Sequence, residues 1–231
     1  YELITIKGLN EIRRAEVIVY DDLIDEHLLE FAPESCELIY AGKRSGRHSK
    51  AQEEINELLV EKPLRQICCE TKGGDPYVFG RGGEEALALK EHGIPVHEVP
   101  GVTSSIGLCG MAGIPVTHRG ASRGFHVITG HTADNLPPEI EEIRWKSYAK
   151  LDETFVFLMG LKSIDMITEK LMRYGKLSDT PVAVIHGENT DGTYVKFVGT
   201  LSDIAAKVKE VDFPSPAIIV VGEVASLELT D

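Results

Sequence analysis

The sequence predicts an α/β protein built as two α/β domains with a cleft between them. Three observations carry that expectation. Short runs rich in Val and Ile recur along the chain, longer amphipathic segments separate several of them, and a Gly/Pro/Thr/Ser stretch at 113–124 interrupts the pattern before a fresh strand. The boundary is placed at 118/119, giving domains 1–118 and 119–231. A cleft between two such domains is a common place for a small-molecule site.

In chain order, the strand-like runs are Val17–Tyr20, Glu37–Tyr40, 66–69, 96–99, Phe125–Thr129, Thr154–Leu158, 182–186 and Ala217–Val221. Each is bounded by Gly, Pro or charge. Helix-like stretches lie between them. In 49–61, Ile55, Leu58 and Leu59 recur at helical spacing behind Ser49 as an N-cap. The stretch 83–92 stops at Gly93, and 162–174 stops at Gly175. The alternation predicts a largely parallel sheet.

The 231 residues carry a net charge of −13, which argues against non-specific nucleic-acid binding. An anionic small substrate stays open, because local charge decides its fate. Residues 42–50 hold Lys43, Arg44, Arg47 and Lys50 without an acid, which by composition alone reads as a solvated basic loop. No apolar run approaches the length of a membrane span, and no signal peptide is visible at Tyr1. Cys36, Cys68, Cys69 and Cys109 fit neither a zinc ribbon nor a redox CxxC, so they read as buried reduced thiols of a cytosolic protein.

The strongest local signal is the run from Lys72 to Glu85, KGGDPYVFGRGGEE, which comes after a strand and before a helix. Its glycines let a ligand approach the main chain, and in α/β sheets ligands bind beyond the carboxyl ends of strands. It is neither the dinucleotide fingerprint nor a Walker loop. Three weaker constellations also sit just after strands: Tyr20-Asp21-Asp22, Gly42-Lys43-Arg44, and Pro100-Gly-Val-Thr-Ser104, which leads on to the 113–120 stretch. One sheet would gather them on one rim. Taken singly, Asp21 reads as a turn or helix cap, Arg119 as a surface cation, and Met159 as a core gap-filler.

Together these residues resemble the uroporphyrinogen III C-methyltransferases of siroheme and cobalamin synthesis, within the tetrapyrrole methylase superfamily. The likeness runs through nearly the whole chain: 3–9, 17–23, 41–44, 52–56, 73–85, 99–104, 113–120, 154–161 and 180–185. The run GGDPYVFGRGGEE is its most specific part. The resemblance implies transfer of methyl groups from S-adenosylmethionine to two ring carbons of uroporphyrinogen III, giving precorrin-2. It implies that Gly73, Gly74, Asp75, Val78, Thr103, Ser104 and Met159 line the donor site. Asp21 would be the proton acceptor and Lys43 the proton donor. Arg81, Glu84, Arg119 and Arg44 would face the tetrapyrrole. S-adenosylhomocysteine would be the co-product, and the assembly a cytoplasmic homodimer without metal, nucleic-acid or membrane partners.

The family also begins with a strand and a GxGPGDP-like turn, placed before the segment that opens at Tyr1, and the turn's proline touches the donor. Without them, residues 73–75 are expected to carry more of the donor site. Glu70 stands where the family usually has a basic residue, and Asn189, which tolerates left-handed backbone, falls where it has Gly-Thr. Two alternatives stay open: a later precorrin C-methyltransferase, or a non-catalytic module that binds donor or tetrapyrrole.

Overall fold

The computed structural model describes residues 1–42, 52–62, 67–131, 137–188, 194–227 and 229. Lys43, Arg44, Arg47, Ser49, Lys50 and Asn189 lie outside them. The chain divides into two compact units, Tyr1–Thr103 and Ser104–Asp231. That division falls before the 118/119 boundary because residues 104–114 pack with the second unit. The short helix Gly107–Met111 packs on the strand Pro181–Glu188, and Lys196 Nζ donates to the Ala112 carbonyl at 3.1 Å.

The first unit is built on a three-stranded parallel sheet. Its strands are β1 (Val17–Tyr20), β2 (Glu37–Tyr40) and β3 (Cys68–Glu70), in the order β2-β1-β3. The central strand reads Val-Ile-Val, and all three side chains are buried, as a parallel strand covered on both faces requires. Alternation sends them to opposite faces. Ile18 meets Ile12 and Ala15, whereas Val19 meets Ala41 and Leu59. Ile12 belongs to α1 (Ile6–Arg14), whose N-terminus is capped by Thr5 Oγ1 accepting from Gly8 N at 3.1 Å. Leu59 belongs to α2 (Gln52–Glu61), and α3 (Gly82–Glu91) packs beside it.

Residues 96–99 are not a strand. A strand needs a ladder partner; here the Glu98 carbonyl and the two residues that follow the stretch, Pro100 and Gly101, bond to side chains. Thr5 Oγ1 donates to the Pro100 carbonyl at 3.3 Å, Lys7 Nζ donates to the Glu98 carbonyl at 3.3 Å, and Gly101 N donates to Asp75 Oδ2 at 3.1 Å. The helix α1 itself falls where no helix is expected from sequence.

The second unit is larger in its sheet. After α4 (Gly107–Met111) come β4 (Phe125–Thr129), α5 (Pro138–Lys150), β5 (Thr154–Leu158), α6 (Ile164–Arg173), β6 (Pro181–Glu188), β7 (Tyr194–Thr200), α7 (Ile204–Glu210) and β8 (Ala217–Val221). The sheet order is β4-β5-β8-β6-β7. Only β4 and β5 pair in parallel; the other three pairings are antiparallel, so the largely parallel expectation fails here. Every residue of β5 and β8 is buried. Phe155, Phe157, Ile219 and Val221 face a core completed by Trp145 of α5, Ile167 and Leu171 of α6, and Ile204 of α7. Fully burying one such side chain is worth about 1.5–3 kcal/mol.

The four cysteines are free, and the expectation that all are buried is corrected. Only Cys109 is fully buried; Cys36, Cys68 and Cys69 are half-buried. Burial still pushes the Cys69 and Cys109 thiols up to about 12, so both stay protonated and unreactive.

Candidate active site

Parallel pairing puts the carboxyl ends of β1, β2 and β3 on one rim, and three of the sequence constellations leave from it. The β1 exit carries Asp21, half-buried, whose Oδ1 accepts from Leu23 N at 2.9 Å. That bond makes Asp21 a turn-former, as its position alone suggests. Beside it, Tyr40 at the end of β2 donates from its hydroxyl to Asp22 Oδ1, tying the two exits together. Gly42 is required there: a Cβ on it would lie 2.7 Å from the Tyr40 hydroxyl and 3.0 Å from Asp22 N.

From the third exit comes the glycine loop. A Cβ on Gly73 would sit 2.7 Å from the Leu23 carbonyl oxygen, so the β1 and β3 exits are in backbone contact. Gly74 has φ 87°, a conformation that only glycine adopts at little cost. Its carbonyl presses on Gly101, where a Cβ would stand only 2.0 Å away. A Cβ on Gly74 itself would meet Thr103 Cα at 3.8 Å, so Gly74 and Thr103, both expected at the donor site, are neighbours.

Asp75 buckles these loops. Its Oδ1 accepts from Tyr77 N at 2.9 Å and its Oδ2 from Gly101 N at 3.1 Å. Val78, half-buried, closes the turn by donating its N–H to the Asp75 carbonyl at 3.1 Å. Phe79 and Arg81 then take left-handed φ values of 56° and 61°. Non-glycine residues held there cost on the order of 1–3 kcal/mol each and mark backbone fixed by its surroundings. Arg81 and Glu84 are exposed and pair with each other, Nη2 to Oε2, at 2.9 Å.

Glu85, which sequence reasoning passes over, is the buried member of the Glu-Glu pair, 4% exposed. Its Oε1 accepts from Lys72 Nζ at 2.8 Å and from Gln52 Nε2 at 2.8 Å. Lys72 Nζ also meets Glu70 Oε1 at 2.8 Å. The unusual acid at position 70 therefore joins a small buried ion cluster. Burial and the Glu85 charge together outweigh Lys72 and raise the Glu70 carboxyl to about 7. No signal in the sequence separates it from Glu84; only the inner face that α3 buries at its N-terminus does.

The rim opens on a cavity of about 760 Å³ within the first unit, lined by Glu70, Lys72, Gly74 and Glu85 and by residues 94–102.

In the second unit, Ser104 accepts from Leu108 N through its carbonyl at 3.2 Å. Arg119 is exposed in a turn whose Gly120 has φ 92°. Met159 is not the core residue its type suggests. It comes directly after β5 in a left-handed conformation, φ 57°, and is 53% exposed. The close approach of Gly130 and Gly160, with a Gly130 Cβ only 2.3 Å from Gly160 Cα, fixes the chain on either side of it.

Known proteins resemble this chain in sequence and fold. The tetrapyrrole (corrin/porphyrin) methylase pattern matches residues 1–205. The chain is 47% identical over 229 residues to a uroporphyrinogen-III C-methyltransferase of Methanocaldococcus jannaschii, covering 98% of this chain and 92% of that protein. It is 46% identical to an S-adenosyl-L-methionine-dependent uroporphyrinogen III methyltransferase of Methanosarcina barkeri, covering 98% and 88%. Among solved structures, the uroporphyrin-III C-methyltransferase of Thermus thermophilus, complexed with S-adenosylhomocysteine, superposes with a TM-score of 0.77 at 35% identity, over 96% of this chain and 92% of that one.

Proposed function

The chain belongs to the tetrapyrrole (corrin/porphyrin) methylases, and from that premise we infer that it is an S-adenosylmethionine-dependent uroporphyrinogen III C-methyltransferase. It methylates uroporphyrinogen III to precorrin-2, which serves siroheme or cobalamin synthesis. The observation that carries the reading is the near-full-length identity to relatives of that activity, in a chain whose glycine loop sits at the open rim of a parallel sheet.

The residues present suit such a donor. Gly73 and Gly74 are exposed and present bare backbone at the loop's start, and Thr103 adjoins Gly74. Met159 offers an exposed apolar side chain held in one backbone conformation. When bound, the donor would supply a sulfonium-activated methyl group that a ring carbon of the electron-rich tetrapyrrole attacks in line, with S-adenosylhomocysteine leaving as the sulfur–methyl bond breaks. What the protein adds is placement, which can supply about 7–11 kcal/mol.

As that carbon is alkylated, the ring N–H proton must leave. Asp21 is the proposed acceptor, its Oδ1 anchored on Leu23 N and the carboxylate held at the rim. Such a base is worth roughly 10²–10⁴ in rate. Lys43 is the proposed proton donor. Arg44, Arg81 and Arg119 are proposed to receive substrate carboxylates, with Glu84 holding Arg81 in place, at about 1.5–3 kcal/mol per charged hydrogen bond. Against a net charge of −13, those cations make substrate binding steeply dependent on ionic strength, and donor binding much less so. Equal salt slopes would contradict that assignment. A homodimer is the proposed assembly, to be read by sedimentation equilibrium.

The test is an anaerobic assay with uroporphyrinogen III and methyl-labelled donor. A dimethylated product is expected, with turnover in Asp21→Asn lowered at least about a hundredfold and donor affinity kept. A folded protein that forms no methylated tetrapyrrole contradicts the function. A wild-type rate in the variant removes Asp21 from its role.

A further inference from the structure

The glycine loop poses a mechanical problem that its own sequence does not solve. Between Lys72 and Glu85 the backbone enters the left-handed region at Gly74, Phe79 and Arg81. It also folds back so tightly that a Cβ on Gly80 or Gly82 would lie 2.7 or 2.9 Å from the Pro76 carbonyl oxygen. A loop with so much strained backbone keeps its shape only if its surroundings over-determine it. Asp75 fixes the middle, through Tyr77 N and Gly101 N. The ends need a second fastening.

We propose that Glu85 is a positioning residue for the methyl-donor loop, closing it by its buried pairing with Lys72 and anchoring it to α2 through Gln52. The geometry is that of a clasp. Lys72 is the first residue of the loop and Glu85 the last, and their charged groups meet at 2.8 Å. Gln52 reaches the same Oε1 at 2.8 Å from another helix, so the closed ends are tied to the body of the unit rather than only to each other. Lys72 is 17% exposed and Glu85 4%, which keeps water from competing for the pair. The exposed Arg81–Glu84 pair nearby lacks that protection and cannot do the same work. Glu85 Oε2 is buried with no hydrogen-bond partner among the described residues, so the whole hold passes through Oε1.

This inference rests on the reading that the loop holds S-adenosylmethionine, and its test separates the two. Calorimetry with S-adenosylhomocysteine is run on the wild type, Glu85→Gln, Lys72→Met and the double variant, well below their melting temperatures. Each single variant is expected to weaken binding about tenfold. The double variant is expected to weaken it less than the two single losses added together, because the Lys72–Glu85 pairing is lost in either single variant, beside the separate bonds of Lys72 to Glu70 and of Glu85 to Gln52. Lys72→Arg, which keeps the charge, should restore most of the affinity, and Gln52→Ala should weaken it by about threefold. Variants that melt earlier but bind like the wild type have lost only a structural pair, and that result overturns the clasp while leaving the donor site intact. Additive losses in the double variant overturn it as well. A wild type that binds no S-adenosylhomocysteine sinks the donor reading and the clasp together. Should Glu85→Gln fail to fold, Gln52→Ala and Lys72→Met decide alone, and wild-type affinity in both overturns the proposal.

Discussion

The two units of this chain solve opposite problems. In the second, β5 and β8 are buried along their whole length, and one apolar cluster unites both with three helices. In the first, among the described residues, a three-stranded sheet separates two small apolar clusters, and the loops leaving it are held by backbone contacts, glycines and a buried ion cluster. A large continuous core tolerates no polar opening. A small sheet with an open rim can spare its strand ends for a ligand. Most of the residues proposed for chemistry lie in the first unit; Ser104, Arg119 and Met159 are proposed from loop positions of the second.

The largest effect that can break this contrast is in the second core. Phe157 is fully buried and stacks between Trp145 and Phe155, with ring centroids at 6.2 and 6.4 Å. Phe157→Ala should cost about 3–5 kcal/mol, read as a fall in the denaturation midpoint, with little change in donor affinity at low temperature. A loss below about 1 kcal/mol would mean that stability does not reside there.

Next comes the rim. Gly101→Ala places a methyl group 2.0 Å from the Gly74 carbonyl oxygen, a clash between two backbones that no side chain can relieve. Expected are about 1–3 kcal/mol of destabilisation and a much larger loss of donor binding than Phe157→Ala causes. Unchanged binding would detach the Gly74–Gly101 contact from the donor site.

The ion cluster offers a third test, in pH. The Glu70 carboxyl ionises near 4.5 in the unfolded chain and near 7 in the folded one. Because the folded value is the higher, the contribution of this group is fully present below pH 4.5 and is lost as pH rises through 7. Glu70→Gln should remove that decline, leaving the variant more stable than the wild type at pH 8 relative to pH 4.5, by on the order of 2 kcal/mol. Parallel stability profiles for the two proteins would show that position 70 is not held in the buried cluster.

The smallest effect is a control. A Cβ on Gly83 meets nothing within 4 Å, and the position lies in the first turn of α3. Gly83→Ala should cost no stability and can add up to about 1 kcal/mol. A marked loss would mean that the loop is more crowded than its neighbours allow.

Sequence legibility divides along the same line. β1, β2, β4, β5 and β8 are readable to the residue, because each is a short run rich in Val, Ile, Leu or aromatic residues set off by charge, Gly or Pro. The helix α5 escapes notice because its apolar residues do not share one face: Ile140 and Ile143 are exposed while Trp145 is buried. Residues 96–99 look like a strand but have no ladder, and pairing is not a property that one segment can display. The second sheet's antiparallel pairings are hidden for the same reason. At the site, the glycine loop announces itself, whereas Glu85 does not. Its exposed neighbour Glu84 is the same residue type, and only the burial of one face of α3 distinguishes them.

The methyl donor is proposed to be held by the 72–85 loop of the first unit, on a protein whose larger apolar core lies in the second. Amide hydrogen exchange with and without S-adenosylhomocysteine tests it most directly. Protection should rise through residues 72–85 and 101–103 when the ligand is added, while β8 stays the slowest-exchanging segment throughout. Protection gained in the second unit with none in 72–85 would contradict the claim.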